Sequence, residues 1–100
     1  MNLLTVATQN NPFALGTYRH WAYALMKEKD LCDAVKKIKT AIEIDPADSE
    51  NWVVWGLIMR ANGDFKNSLT KFEKAVELDP KNYIAVYEKN FIEKMLQLDK

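Results

Sequence analysis

The apolar residues of this chain recur with the period of an α-helix over most of its length. Over 16–27 and again over 31–44, apolar side chains return every three or four residues, which places them on one face of a helix. Two further runs of this kind lie within 49–82, and another covers 83–98. The pattern predicts an all-α chain. In the first two helices, the side chains predicted to be buried are Tyr18, Trp21, Ala22, Leu25, Leu31, Ala34, Val35, Ile38, Ala41 and Ile42.

Polar residues at the ends of these runs predict where helices begin. Asp30, Asp48 and Asn82 each stand just before a run, where a side-chain oxygen accepts from the exposed amides of the first turn. Lys29 occupies the loop position at which the next hairpin has Gly63. If this position requires left-handed backbone, lysine costs on the order of 1 kcal/mol there.

The chain also matches itself when it is shifted by about 34 residues, which is a recognised period of helical-hairpin repeats. Pro12, Pro46 and Pro80 then fall in one column, and Trp21 aligns with Trp55. Other columns align Ala7 with Ala41 and Ala75, Leu4 with Ile38 and Phe72, and Ala22 with Gly56. Self-similarity at a fixed period predicts an array of stacked helical hairpins.

The central unit, 49–82, resembles a tetratricopeptide repeat (TPR). The residues that carry the resemblance are Trp52, Trp55 and Gly56 in its first helix and Ser68, Phe72, Ala75 and Pro80 in its second. The resemblance implies a short α-solenoid that forms one domain. We expect a partial N-terminal helix at 1–14, repeats at 15–48 and 49–82, and a capping helix at 83–100.

Two features concern the ends of the predicted array. The partial helix at 1–14 is either a natural cap or the remainder of a longer array. In the last helix, Lys89, Asn90 and Glu93 hold positions that a following helix would bury, which argues against another hairpin. We expect the last helix to pack on the preceding repeat through an apolar face made of Tyr83, Ile84, Tyr87, Phe91, Met95 and Leu98.

Composition narrows the function classes. The chain has 100 residues, with 14 Lys and Arg against 14 Asp and Glu, so net charge gives no argument for nucleic acid or an anionic membrane. No apolar run approaches the ~20 residues of a membrane span, and the N-terminus lacks a signal-peptide pattern. We therefore predict a soluble cytoplasmic protein that binds no nucleic acid and does not insert into membranes.

No catalytic or metal-binding pattern is visible. Cys32 and His20 are too few for a zinc site, and neither has a partner that would make it a nucleophile or a base. The aromatic set of Tyr18, Trp21, Trp52 and Trp55 is interpreted as core packing, and the lysine run of Lys36, Lys37 and Lys39 as a solvated helix face. We predict no enzymatic activity, no cofactor and no metal.

The resemblance also implies a concave groove lined by the first helix of each hairpin. The residues that it places in the groove are Arg19, His20, Tyr23, Met26, Lys27, Val53, Val54, Leu57, Arg60, Ala61, Tyr87, Phe91, Lys94 and Met95. Most of these side chains are apolar, with basic residues among them. We expect the groove to bind an amphipathic segment of a protein or peptide partner, with acidic flanks that pair with the basic residues.

Some TPR domains bind the acidic C-terminal tails of chaperones through a carboxylate clamp. The five clamp positions correspond here to Arg19, Tyr23, Val54, Ile84 and Glu88. Arg19 alone has a suitable charge, and Glu88 would repel a carboxylate. The sequence therefore argues against chaperone carboxylate tails as partners.

Three alternatives to a free interaction module stay open at this stage. In the first, another part of the parent protein or another copy of the chain fills the groove permanently, for example by self-association through the N-terminal edge. In the second, the chain is a structural subunit or spacer within a larger assembly. In the third, it is the non-catalytic TPR segment of a larger enzyme. Fold alone does not separate these functions.

Overall fold

The structure is a computed structural model that describes residues 17–98, and in this part of the chain it contains five α-helices and no strand. The helices are α1 (Thr17–Lys27), α2 (Leu31–Ile44), α3 (Ser49–Ala61), α4 (Phe65–Leu78) and α5 (Tyr83–Leu98). The predicted all-α fold is confirmed. The partial helix predicted at 1–14 lies outside the described residues.

The helices pack as two hairpins followed by a fifth helix. Helix α1 packs mainly against α2, and α3 packs mainly against α4. Contacts of α3 with both α1 and α2 join the two hairpins, and α5 packs on α4. Each short loop reverses the chain direction, so α1, α3 and α5 occupy equivalent places in the stack.

The predicted N-caps are present. Asp30 accepts a hydrogen bond from the Asp33 amide at the start of α2, and Asp48 accepts one from the Glu50 amide at the start of α3. The Oδ1 atom of Asn82 accepts from the Ala85 amide at 3.3 Å. These bonds satisfy amides that have no partner within the helix, and they fix where α2, α3 and α5 begin.

The loop inside each hairpin requires one residue with left-handed backbone. Gly63 has a φ of 80°, and Lys29, at the same place in the first hairpin, has a φ of 67°. Glycine adopts this conformation without steric cost, whereas lysine strains its Cβ against the following carbonyl. The predicted left-handed position at Lys29 is confirmed, and the hairpin closes in spite of the strain.

Two clusters of buried side chains form the core. The first contains Ala22, Ala34, Ile38, Ala41, Val54 and Ile58 from α1, α2 and α3. The second contains Val53, Phe72, Ala75, Ala85 and Ile92 from α3, α4 and α5. Helix α3 contributes to both clusters, so it joins the first repeat to the rest of the array.

The second hairpin is held together by a close contact at Gly56. A Cβ atom on this residue would lie 2.6 Å from Cε1 of the Phe72 ring, which is completely buried. Ser68 Oγ also donates a 2.8 Å hydrogen bond to the Gly56 carbonyl. The small residue at this position therefore allows the aromatic ring to pack directly against the backbone of α3.

The apolar face predicted for α5 is wrong for four of the five of its residues whose burial the structure describes, and the burial of the sixth, Leu98, lies outside that description. Tyr83, Ile84, Tyr87 and Phe91 are 83%, 55%, 68% and 41% exposed. The side of α5 that packs on the preceding repeat contains instead Ala85, Glu88 and Ile92, with Met95 and Leu96 partly buried beside them.

The reason for this correction is the repeat register. Ala85, Glu88 and Ile92 each lie one repeat period after a buried α3 residue, namely Asn51, Val54 and Ile58. The sequence of α5 alone has two apolar faces and does not show which of them is buried. Alignment with the preceding repeat identifies the buried face. The exposed aromatic stripe lies on the other side.

The four aromatic side chains predicted to form core are half-buried, and three of them, Tyr18, Trp52 and Trp55, pack against the core clusters. Tyr18 stacks on Trp21 with ring centroids 6.1 Å apart, and Trp52 lies 5.5 Å from Trp55. Lysine side chains lie over these rings. Lys37 Nζ is 4.1 Å from the Trp21 ring centroid, and Lys71 Nζ is 4.0 Å from that of Trp55. Lys37 is therefore not simply solvated, because it makes a cation–π contact that also covers the indole.

Candidate functional site

An open groove lies between α1, α3 and α5. Two adjoining cavities form it, and every residue that lines them belongs to one of these three helices. We name them the Glu50 cavity and the Lys27 cavity. Tyr23 and Leu57 line both, so the two cavities meet at this pair of side chains.

The Glu50 cavity has a volume of about 330 Å³. Its walls combine apolar side chains with both signs of charge. Its lining residues are Arg19, His20, Tyr23, Glu50, Val53, Val54, Leu57 and Ile84.

The Lys27 cavity has a volume of about 310 Å³ and lies toward the C-terminal ends of α1 and α3. Its lining residues are Tyr23, Met26, Lys27, Leu57, Arg60 and Ala61. Both of its charged residues are cations.

The structure brings most of the fourteen sequence-predicted groove residues together, although their exposure differs. The residues that line neither cavity are Tyr87, Phe91, Lys94 and Met95 of α5. The other ten line one cavity or the other. Phe91 joins them through Arg60, whose guanidinium carbon lies 5.5 Å from the centroid of the Phe91 ring. Val53 and Val54 are only 3% and 7% exposed, so they form the floor of the Glu50 cavity and belong mainly to the core. Tyr23 and Phe91 are each 41% exposed.

Each groove arginine is already paired with an acid of this chain. Arg19 Nη1 lies 2.8 Å from Asp48 Oδ2 and 3.2 Å from Asn51 Oδ1, and its side chain is 19% exposed. Arg60 Nη1 lies 2.6 Å from both carboxylate oxygens of Glu88. The Glu88 side chain is 10% exposed, whereas that of Arg60 is 40% exposed. The first pair connects α1 to the N-cap of α3 and the second connects α3 to α5, and both reduce the net charge that the groove offers.

Asn51 holds Arg19 in its ion pair with Asp48 by accepting a second hydrogen bond from Arg19. It is 3% exposed, and its amide nitrogen donates at 3.2 Å to the carbonyls of both Ala41 and Asp45 at the end of α2. Each carbonyl also accepts a backbone amide, from Asp45 and Asp48 respectively, so these bonds add a second donor. They also orient the amide oxygen toward Arg19. The side chain therefore links α1, α2 and α3 in one polar network.

Sequence reasoning missed Glu50 and Ile84 as groove residues. The two lie one repeat period apart, so they occupy one column of the repeat, and both line the Glu50 cavity. Treating Ile84 as a buried residue of α5 concealed this. The repeat column was the signal that could have revealed both positions.

The side chains that could bind a metal do not form a cluster in the described part of the chain. No group of three or more His, Cys, Asp or Glu side chains that could hold a metal ion occurs within 17–98. Cys32 is exposed and lines a separate cavity of about 120 Å³ with Leu31, Val35, Ile58, Met59 and Asn62. None of the five helices is long and apolar enough to cross a membrane.

The stacked hairpins and the groove between their first helices define a helical-repeat protein. The family model described as tetratricopeptide repeat matches residues 49–82, the hairpin of α3 and α4. The chain is also 31% identical over 70 residues to Superkiller protein 3 of Saccharomyces cerevisiae. That alignment covers 70% of this chain and 5% of the relative. Residues 49–82 therefore form a tetratricopeptide repeat.

A solved structure shares the fold across nearly the whole chain. It is described as the first TPR of Spaghetti (RPAP3) bound to the HSP90 peptide SRMEEVD. The TM-score is 0.83, and the match covers 94% of this chain and 75% of that one. Sequence identity is 19%, so the likeness concerns the fold.

Proposed function

We propose that this chain is a protein-interaction module without enzymatic activity, which binds an apolar segment of a partner protein in the groove between α1, α3 and α5. The TPR fold supports the general function, as does a neighbour of the same fold that is bound to a peptide. A cytoplasmic location stays a prediction from the sequence.

The observation that carries the proposal is the apolar row formed by Tyr23, Leu57 and Phe91. The three residues follow one another at the repeat period, one on each groove helix. Tyr23 and Phe91 are 41% exposed, and Leu57 lies where the two cavities meet. A segment that crosses the groove would cover all three side chains and remove their apolar surface from water.

We propose that the five clamp positions of this groove do not bind the carboxylate tail of a chaperone. Of the five clamp positions, Val54 is buried in the core and Glu88 is a buried carboxylate already bonded to Arg60. Arg19 is bonded to Asp48 and Asn51. A tail placed there would meet no free cation at these positions and would lie near an acidic group.

A second candidate function has its own observation. Tyr83 and Tyr87 on α5 are 83% and 68% exposed, and Tyr87 stacks on Phe91 with centroids 6.5 Å apart. Large aromatic side chains in this state are typical of a surface that another protein covers. This favours a structural role in a larger assembly as the alternative to transient binding.

Selection from a phage-displayed library of random peptides tests the proposed groove. We expect the chain to select peptides with apolar anchors, and Leu57→Glu to weaken the selected peptides by about 10- to 100-fold, which corresponds to the burial of one large apolar side chain. Fluorescence anisotropy with the synthetic peptides gives the dissociation constants.

Tyr23→Glu is the second groove variant, because Tyr23 is 41% exposed and its replacement leaves the core intact. Thr70→Glu is the matched control, since it adds the same charge at an exposed residue of α4. Circular dichroism establishes that each variant is folded. Wild-type affinity in both groove variants, or equal loss in Thr70→Glu, would rule out the groove as the binding surface.

A further inference from the structure

The two halves of the groove differ in charge. The Lys27 cavity is lined by two cations, Lys27 and Arg60, and by no acidic residue. The remaining walls are the side chains of Tyr23, Met26, Leu57 and Ala61. A site with apolar walls and two cations suits a group that combines an apolar part with a negative charge.

Both cations keep hydrogen-bonding capacity that points to a further partner. Arg60 uses one nitrogen, Nη1, for its bonds to Glu88, although a guanidinium has five N–H donors. Lys27 makes no ion pair with any residue in 17–98, and its Nζ lies 5.6 Å from the centroid of the Tyr23 ring. The lysine charge is therefore still available to a ligand.

Glu88 offsets one of the two charges, because it is bonded to Arg60, so the net positive charge of the cavity comes from Lys27. Other neighbouring negative groups do not cancel it. The C-terminal end of a helix carries partial negative charge, but the turns after α1 and α3 satisfy its carbonyls. The Asp30 amide donates to the Leu25 carbonyl at 2.9 Å, and the Asp64 amide donates to the Met59 carbonyl at 2.9 Å. The carboxylates of Asp30 and Asp64 accept from amides of the following helices. Both acids are thus engaged in capping.

The Glu50 cavity has no cation that, like Lys27, is without an ion pair to the residues in 17–98. Its arginine, Arg19, is bonded to Asp48 and Asn51, and Glu50 adds a carboxylate to the wall. The groove is therefore positive at the C-terminal ends of α1 and α3 and mixed in charge at their N-terminal ends. An asymmetric groove distinguishes the two ends of a bound segment.

We infer that Lys27 and Arg60 form an anion-binding corner that takes an Asp or Glu side chain of the bound segment, beside an apolar residue seated against Tyr23 and Leu57. The segment then binds in one direction, with its acidic end at the C-terminal ends of α1 and α3. This inference rests on the proposed function and specifies one determinant of its specificity.

To test the inference, the same display library is selected in parallel on the wild type and on Lys27→Glu. Lys39→Glu is the matched control, because Lys39 is exposed on α2 and its reversal changes net charge equally. We expect wild type and Lys39→Glu to enrich Asp or Glu next to an apolar anchor. Lys27→Glu should keep the apolar anchors and lose the acidic enrichment.

Binding measurements with synthetic peptides then test whether the acid of the peptide interacts with Lys27. Replacing the selected acid by its amide should weaken binding to wild type by about 3- to 10-fold. The same replacement should strengthen binding to Lys27→Glu, because it removes a repulsion between two carboxylates. An equal effect on both proteins would overturn the anion corner. Selected peptides that bind more weakly to Leu57→Glu but show no enrichment of Asp or Glu would also overturn the anion corner. The proposed groove would stand in that case. If no selected peptide depends on Leu57, both proposals fail.

Discussion

Gly56→Ala is expected to lower the free energy of unfolding by about 2 kcal/mol, because overpacking outweighs the gain in helix propensity. The new Cβ would lie 2.6 Å from the Phe72 ring, which is fully buried and cannot move without disturbing the second core cluster. Overpacking costs about 1–3 kcal/mol, with a contact this short at the upper end, and the better helix propensity of alanine offsets roughly 1 kcal/mol of it. Urea denaturation followed by circular dichroism measures the change.

The first hairpin supplies the matched control for this prediction. Its equivalent pair is Ala22 and Ile38, so alanine stands where the opposing side chain is aliphatic. We therefore expect Ala22→Gly to destabilise, by about 1 kcal/mol from helix propensity alone, so that glycine is preferred in one repeat and alanine in the other.

A double variant tests whether positions 56 and 72 are energetically coupled. Phe72→Ile should cost less in the Gly56→Ala background than in the wild type, with an interaction energy of about 1–3 kcal/mol. Stabilisation by Gly56→Ala alone would show that the ring shifts freely, and would contradict the packing described for α3 and α4.

Arg60→Ala is expected to destabilise the chain by about 2–4 kcal/mol, because it breaks a largely buried ion pair. It would leave Glu88, whose side chain is 10% exposed, without the cation that it contacts at 2.6 Å. Removal of one partner from a fully buried pair costs about 3–5 kcal/mol, and the 40% exposure of Arg60 places this pair toward the lower end. Urea denaturation of the single variant measures the loss.

Glu88 has a natural apolar substitute, because Val54 occupies the same repeat position in α3 and is buried. The double variant Arg60→Met with Glu88→Val should therefore recover most of the lost stability. Lys89→Ala serves as the control, since the more exposed Lys89–Glu93 pair should contribute less than about 1 kcal/mol. A double variant as unstable as Arg60→Ala would mean that the carboxylate is not the source of the cost.

The fold could be predicted from the sequence because its main signal is repeated. Each hairpin places a small residue at Ala22 or Gly56 and an apolar one at Ile38 or Phe72. Helix caps such as Asp30 are local as well, and they depend only on neighbouring amides. Features that depend on short spacing or on the repeat period were therefore accessible before the structure.

The sequence did not reveal that the two groove arginines form ion pairs within the chain. Arg19 and Arg60 were interpreted as cations available to a partner, but each is bonded to an acid 28 or 29 residues away in sequence. Neither pair recurs in the other repeat, since Val53 stands where the period would repeat Arg19. A contact that is neither local nor periodic leaves no pattern in a single sequence.

The most direct test of the proposed groove is a titration of isotope-labelled chain with a display-selected peptide, followed by nuclear magnetic resonance. The proposal predicts that chemical-shift changes concentrate on α1, α3 and α5, with the largest at Tyr23, Leu57 and Phe91, while Thr70 on α4 stays unchanged. Changes confined to α2 and α4, with none at Leu57, would contradict it.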